Sequence, residues 1–136
     1  MTVVACYPGK PAEIISIPNT LQAKQGVVGG YIEAVYPFSD PVAIICNEEG
    51  KINGLDLNRA LYNEEGEMFD IVAGPMLVCG LGEEDFTSLQ GELLKKYYEM
   101  YKHPEAFVRI GQDILAIKLP EQKSTEEQTK KNHIHR

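Results

Sequence analysis

Residues 2–17 read TVVACYPGKPAEIISI, and this stretch indicates how the rest of the chain folds. Two runs rich in β-branched residues, Thr2–Tyr7 and Ala12–Ile17, flank Pro8-Gly9-Lys10-Pro11, whose prolines and glycine are typical of a turn. The stretch therefore predicts a β-hairpin. A chain built from successive hairpins forms an antiparallel sheet, and the same pattern returns further along this sequence.

Three later segments repeat the alternation of strand-like runs with turn residues. The tetrapeptide Asn47-Glu48-Glu49-Gly50 returns as Asn63-Glu64-Glu65-Gly66, and a short acidic loop with a glycine is typical of hairpin connections. A further strand is interrupted at Gly74-Pro75, because proline has no N–H for the ladder. The predicted strand pairs are 41–47 with 51–55, 57–62 with 67–72, and 106–110 with 114–119, and the interrupted strand spans 69–81.

Two helices are predicted between these hairpins. The first covers residues 20–36, with Asn19-Thr20 supplying the N-cap and apolar residues recurring at helical spacing. The second covers residues 87–102, where Thr87 and Gln90 fit a capping box before an apolar stripe. The resulting order predicts an α+β fold: a mainly antiparallel sheet of hairpins packed against two helices, in two layers.

The first helix contains two anomalies. Gly26, Gly29 and Gly30 each cost about 0.8–1 kcal/mol relative to alanine in a helix interior. They indicate close packing on the sheet, a break in the helix, or backbone left bare for a ligand or partner. Gln25 falls on the apolar stripe, so its amide either ties down a neighbouring strand end or lines a polar pocket.

Composition and charge bound the domain organisation. The chain has 136 residues and a net charge of −7, and residues 1–119 hold nine basic against 17 acidic side chains. We expect one domain over 1–119 and a disordered polar tail over 120–136. Three widely spaced cysteines and the lack of a long apolar run predict a cytoplasmic protein with reduced thiols and no membrane contact. The acidic body also disfavours direct binding of nucleic acid.

The sequence carries no motif that specifies a reaction. The acidic clusters Glu48-Glu49, Glu64-Glu65 and Glu83-Glu84-Asp85 are expected to be solvated turns, and no metal site and no cofactor are predicted. Asn58-Arg59 is open to two interpretations: a structural ion pair of the guanidinium, with Asp56 or Asp70 as its partner, or an anion-binding site. We therefore lean towards a protein that is not an enzyme.

Several motifs, in this order, resemble domain of unknown function family 3846. They are residues 25–35, residues 47–51 with 55–60, and residues 70–74, within a resemblance over 3–85 that continues less distinctly through the second helix. The resemblance implies a small accessory protein of bacterial conjugative elements and phages, in neighbourhoods that carry antirestriction genes. It implies no reaction. The motif positions, which are candidate site residues only, are Gln25, Gly29, Gly30, Asn47, Glu48, Gly50, Asn58 and Arg59.

Two classes of function follow. The first is a binding or interaction module of a mobile element. Its partner is a host or element-encoded protein, and one version of this hypothesis is that it counters a host defence enzyme. The second is a nucleotide-like small-ligand protein, either a sequestering module or an enzyme, with Gln25, Asn47, Asn58 and Arg59 converging on one polar pocket. A homodimer through a sheet edge is a further expectation.

Overall fold

The computed structural model describes residues 1–120, in which the elements follow the order ββαββββββαββ. The α+β class and the antiparallel pairing are confirmed. The strands are β1 Thr2–Cys6, β2 Glu13–Ser16, β3 Ile32–Val35, β4 Val42–Asn47, β5 Leu57–Tyr62, β6 Met68–Ala73, β7 Met76–Leu81, β8 Phe86–Thr87, β9 Glu105–Ile110 and β10 Asp113–Lys118. The helices are α1 Leu21–Val28 and α2 Gly91–Tyr101. Neither of these two described helices is long and apolar enough to cross a membrane.

A six-stranded antiparallel sheet forms the centre of the molecule. Its order is β2-β1-β7-β4-β3, and the short β8 also pairs with β7. The predicted N-terminal hairpin is present, with Val3 opposite Ile15. Strand β7 lies between β1 and β4 because its run of apolar side chains is buried almost throughout.

Both faces of this sheet are buried, which gives three layers rather than the predicted two. Alternate residues of β1, β4 and β7 contribute to two separate apolar clusters, as period-two side-chain alternation requires. One cluster packs against α1 through Val28, and the other packs against α2 through Tyr97 and Tyr101. The helices therefore lie on opposite faces.

Two separate hairpins complete the described chain. β5 and β6 pair around the predicted turn Asn63–Gly66, and Leu61 and Val72 join the cluster that α2 covers. β9 and β10 pair at the positions that the sequence predicted, with Val108 opposite Leu115. The predicted tail lies, from residue 121 onwards, outside the described residues.

The first helix is much shorter than predicted. Thr20 is the N-cap, since its hydroxyl accepts a hydrogen bond from Ala23 N at 3.1 Å, but the helix ends at Val28. Gly29 has φ +79°, a left-handed conformation typical of a helix C-terminus. Residues 32–35, predicted to be helical, form strand β3 instead. Gly29 therefore ends the helix, whereas Gly26 lies within it.

The predicted strand at residues 51–55 is also wrong. These residues form consecutive turns, in which Asn53 N donates to Glu49 O at 2.8 Å and Leu55 N donates to Gly50 O at 2.9 Å. A Cβ on Gly50 would lie 2.3 Å from the carbonyl oxygen of Ala73, so only glycine allows this loop to approach β6 so closely.

The second helix begins four residues later than predicted. Thr87 belongs to β8, where it pairs with Gly80, and the helix begins at Gly91 after the N-cap Gln90. The Gln90 side chain makes no capping hydrogen bond, so the predicted capping box does not form.

Candidate functional site

Arg59 is fully buried at the junction of three segments. Its Nε and Nη2 donate to Tyr101 O at 3.1 and 3.0 Å, and Nη2 also donates to Lys10 O at 2.8 Å. Its Nη1 donates to the carbonyl oxygen and to Oδ1 of Asn58, at 3.2 and 2.8 Å. Five hydrogen bonds match the five N–H groups of a guanidinium, which leaves Arg59 no donor for an anion.

The ion pair predicted for Arg59 does not form. Asp70 bonds Lys51 instead, and Arg59 has no ion-pair partner within residues 1–120. Backbone carbonyl oxygens satisfy a planar guanidinium well because its donors have fixed directions. The role of Arg59 is structural, as one reading of the sequence had it, but its partners are carbonyl groups rather than carboxylates.

Asn58 extends the Arg59 network to the central sheet. Its Nδ2 donates to Cys6 O and to Gly74 O, both at 2.8 Å, while its Oδ1 accepts the bond from Arg59. Asn58 is fully buried, and both amide hydrogens are used. This side chain holds the ends of β1 and β6 together and has no donor left for a ligand.

Asn47 performs a similar structural task elsewhere, at the end of α1. Its Nδ2 donates to Val28 O at 3.1 Å, and its Oδ1 accepts from Glu49 N at 2.8 Å. A Cβ on Gly30 would lie 2.9 Å from this Nδ2, so the bare backbone at residue 30 accommodates the Asn47 amide.

The C-terminal end of α1, where Asn47 binds Val28, also involves Gln25, Gly29 and Glu48. The carbonyl oxygen of Gln25 accepts hydrogen bonds from Gly29 N and Gly30 N, at 2.8 and 3.3 Å, and the half-buried Gln25 side chain lies outside the core. Glu48 N donates to Tyr31 O at 2.9 Å, and its side chain is exposed. These contacts fix the passage from α1 to β3.

The predicted single polar pocket is therefore not assembled. Asn47 and Glu48 line a cavity of about 250 Å³ together with Lys51 and Asp70, but neither Asn58 nor Arg59 lines it. The eight candidate residues divide into the Asn47 group, which includes Gly50, and the Arg59 network, and the two share no hydrogen bond in the described chain.

A different cavity of about 250 Å³ lies between α2, the β5–β6 hairpin and the loop before β4. We call it the Glu105 cavity, and aromatic side chains form much of its wall. The rings of Phe38 and Tyr97 lie 4.7 Å apart at an interplanar angle of 55°. Other lining residues are Tyr62, Met100, Tyr101, Glu105 and Lys118.

Glu105 is a buried carboxylate in this cavity, only 5% exposed. Its Oε1 accepts a hydrogen bond from Ala60 N at 2.9 Å, and no hydrogen bond from residues 1–120 reaches its Oε2. Burial raises the pKa of Glu105, while the Ala60 N–H and the positive charge of Arg59 oppose that rise. A desolvated carboxylate in a cleft is typical of functional sites.

A second carboxylate, Asp40, lies at another wall of the same cavity. Its Oδ2 accepts hydrogen bonds from Lys96 Nζ at 2.6 Å and from the Tyr97 hydroxyl at 2.8 Å. These two bonds lower the pKa of Asp40. Burial and the neighbouring Asp40 raise the pKa of Tyr97, so its hydroxyl stays protonated and donates.

The sequence analysis missed the residues of the Glu105 cavity. Glu105 alternates with Ala106, Val108 and Ile110 along β9, so the polar side of this strand looks like the solvent side. Only the contact between β9 and β5 shows that Glu105 faces inwards. The Pro104-Glu105 junction directly after a helix is the only local signal.

Residues 1–120 contain no group of three His, Cys, Asp or Glu side chains that could hold a metal ion. The three cysteines are free and buried. Burial raises the pKa of Cys6 to about 12, of Cys46 to about 11 and of Cys79 to about 12. These thiols are therefore poor metal ligands and poor nucleophiles.

The fold and the cavity define a small α+β domain with an antiparallel sheet covered on both faces and a buried carboxylate beside aromatic side chains. Residues 1–102 match the family model described as Domain of unknown function (DUF3846), and the chain belongs to this family. No curated protein and no solved structure matches the chain. The match ends before β9, so Glu105 and the final hairpin lie beyond the part that defines the family.

Proposed function

We propose that this chain is a non-enzymatic binding protein that holds a small ligand in the Glu105 cavity. The observation that carries the proposal is the Glu105 carboxylate. It is almost fully buried, one of its oxygens is held by a backbone N–H, and the other receives no hydrogen bond within residues 1–120. Since no buried side-chain nitrogen or oxygen of residues 1–120 lacks a hydrogen-bond partner, this second oxygen reaches solvent and is free to accept a hydrogen bond from a ligand.

The walls of the cavity indicate which chemistry fits. Half of the lining residues are aromatic or apolar and half carry polar or charged side chains, a mixture that suits a small organic ligand with polar groups. The carboxylate accepts N–H groups, and the rings of Phe38 and Tyr97 offer flat apolar contact. We therefore expect a flat heteroaromatic molecule with adjacent N–H donors, of the nucleobase or nucleoside type.

A phosphate group fits this cavity less well. Lys96 is bonded to Asp40, and Glu64 and Glu105 add negative charge to the lining. An anion placed there would lie near carboxylates and would find few unpaired donors. The proposed ligand is therefore a nucleobase or nucleoside rather than a nucleotide.

A thermal-shift screen followed by calorimetry tests the proposal. The probes are guanosine, adenosine, cytidine, uridine, guanosine monophosphate and cyclic dinucleotides. Guanosine presents two adjacent N–H donors and is expected to raise the melting temperature most, since a ligand at ~100 times its Kd adds roughly 2.7 kcal/mol. Its affinity should rise with pH through the raised pKa of Glu105, because the ionised form accepts at both oxygens.

Matched variants make the screen decisive. Glu105→Gln is expected to lose the guanosine shift, whereas Glu92→Gln, on the exposed first turn of α2, should retain it. The absence of any shift in the wild-type protein, or an equal shift in Glu105→Gln, would show that this cavity is not the binding site.

The second candidate function is binding to a host or element-encoded protein. In this hypothesis the chain belongs to a mobile element and counters host defence. The exposed carboxylates at Glu48-Glu49, Glu64-Glu65 and Glu83–Asp85 favour it. Two of these clusters follow antiparallel strands, β4 and β7, and so lie at opposite ends of the sheet. Such separation favours discrete contacts over a continuous row that imitates the phosphates of DNA.

Activity measurements test this second candidate. We propose that the chain and its target both act in the cytoplasm. In the assay we expect the purified chain to inhibit at least one DNA-binding defence enzyme. Charge reversal of Glu83 and Glu84 should weaken that inhibition if this cluster makes the contact. Unchanged activity of a panel of restriction nucleases and methyltransferases at saturating protein would dispose of the counter-defence role.

A further inference from the structure

The β9–β10 hairpin exposes its apolar face. Cross-strand pairs place Val108 opposite Leu115, and Ile110 and Ile117 lie on the same side of the hairpin because side chains alternate along a strand. These four side chains are 43–60% exposed. The other face carries Phe107, Ile114 and Ala116 beside Glu105, Arg109 and Lys118, and its Glu105 and Lys118 line the Glu105 cavity. We call the exposed apolar side the outer face.

The hairpin therefore carries apolar residues on both of its faces, and only the inner face is covered within residues 1–120. A half-buried antiparallel hairpin normally turns its apolar face to the core and its polar face to water. A two-stranded hairpin is also marginally stable in water unless something packs on it. The outer face therefore has the character of a surface that is covered in the working protein.

We propose that a second copy of this chain covers the outer face, with the two hairpins packed face to face and antiparallel. Asp113 is the charged residue on this face, at the hairpin tip opposite Ile110. Antiparallel packing keeps the two copies of Asp113 at opposite ends of the interface, so no like charges meet. Pairing through a face is distinct from pairing through a sheet edge.

The area is sufficient for a reversible dimer. Covering the four aliphatic side chains on both copies removes on the order of 700 Å² of side-chain surface, and the flanking backbone brings the total towards the ~1,000 Å² of a specific interface. This size predicts a dimer that dissociates on dilution rather than a permanent one.

Charge argues against the other occupants. Of the four charged residues of the hairpin, Glu105, Arg109, Asp113 and Lys118, only Asp113 lies on the outer face, so this face carries little charge. A basic protein partner would find no carboxylate row on this face. A membrane-binding surface would carry lysine and arginine around its apolar centre, and the net charge of −7 repels anionic lipid.

Sedimentation of the full chain over a wide concentration range tests the proposal. The wild-type mass should rise from 15.2 kDa towards twice that value as concentration increases. Leu115→Lys should weaken the association at least about tenfold, because it places a charge in an apolar interface on both copies. Ile52→Lys is the matched control, since Ile52 is an aliphatic residue 85% exposed outside the hairpin, and it should associate like the wild type.

A methyl NMR dilution series locates the interface without any substitution. Shift changes on dilution should concentrate in Val108, Ile110, Leu115 and Ile117. A wild-type chain that stays monomeric at its highest soluble concentration overturns the proposal, and so does association that leaves these methyl groups unchanged. Sedimentation of a monomeric chain with phosphatidylcholine vesicles would identify a membrane as the occupant instead.

Discussion

At the scale of single residues, the most consequential side chains are charged groups buried without an ion-pair partner. Arg59 is fully buried and satisfied by three residues that are far apart in the chain. Glu105 is nearly as buried and has only one oxygen bonded within the described residues. The first is therefore a stabilising group, whereas burial disfavours the ionised form of the second and raises its pKa.

Replacing Arg59 tests the stabilising role. Arg59→Lys keeps the charge but removes the planar fork, so the carbonyl oxygens of Lys10 and Tyr101 lose their donors. We expect the free energy of unfolding to fall by about 3 kcal/mol, measured by urea denaturation. Arg109→Lys on the exposed part of β9 is the control and should change it by less than about 0.5 kcal/mol. Equal stability of Arg59→Lys and the wild type would contradict the assignment.

Replacing Glu105 tests the raised pKa. A carboxyl group whose pKa is higher in the folded than in the unfolded state stabilises the fold less as pH rises between those two values. The wild-type free energy of unfolding should therefore contain a term that falls as pH rises from the ordinary pKa of glutamate. Glu105→Gln should lack this term. Urea denaturation from about pH 4 to about pH 8 measures the difference between the two proteins, and parallel curves would exclude the shift.

At the scale of elements, local sequence signals correctly predicted the hairpins. They gave the wrong secondary structure where contacts between distant parts of the chain determine it. The turn residues at 8–11 and 111–113 correctly predicted the hairpins that the structure contains. The segment 32–35 has apolar spacing compatible with a helix or a strand, and its pairing with β4 selects the strand. The repeated tetrapeptide shows the same limit: Asn63 closes a hairpin, whereas Asn47 bonds Val28 across the fold.

The candidate site residues show the same difference between what local sequence predicts and what distant contacts determine. The sequence singled out Asn47, Asn58 and Arg59 as unusual polar residues, and all three are buried and make structural hydrogen bonds. Asn58 and Arg59 use every side-chain donor, whereas Asn47 uses one of its two amide hydrogens. Glu105 could not be identified, because its burial depends on β5 lying beside β9, a contact across 45 residues of chain. A sequence pattern reports which side of a strand is apolar, and here both sides of the final hairpin carry apolar residues, so the pattern does not select the inner one.

Two glycines in and after α1 provide a matched test of backbone conformation. A Cβ on Gly26 or on Gly29 would meet no atom within 4 Å, but only Gly29 has a positive φ, of +79°. Gly26→Ala should raise the free energy of unfolding by about 0.5–1 kcal/mol, because alanine favours a helix interior. Gly29→Ala should lower it by about 1 kcal/mol, because its side chain is strained in the left-handed conformation. Thermal unfolding of both variants should show shifts of opposite sign, and shifts of the same sign would contradict the helix end.

At the scale of the whole molecule, the central sheet is enclosed between α1 on one face and α2 with the β5–β6 hairpin on the other. The three cysteines lie on β1, β4 and β7, inside these two clusters. Their reactivity therefore reports on the cohesion of the whole fold rather than on any local opening.

Thiol labelling tests this cohesion. Burial raises the pKa of all three thiols, so at about pH 8 the native protein should react with a disulfide reagent only as fast as it unfolds. In guanidinium chloride three equivalents should react at once, which serves as the control. Cys46, at 9% exposure, should be the first to react when opening is partial. Rapid labelling of one native thiol would show that part of the sheet opens on its own.

The Arg59 network also bears on how the chain is made. The guanidinium needs Lys10, Asn58 and the carbonyl group of Tyr101, and Ala12 N donates to Lys102 O at 3.0 Å, so the first hairpin is tied to the end of α2. During synthesis these bonds cannot form until about a hundred residues have left the ribosome. Until then Arg59 is hydrated and cannot tie these segments together, so the apolar strands stay exposed, and growth to residue 102 is the interval in which chaperones would have to protect the chain.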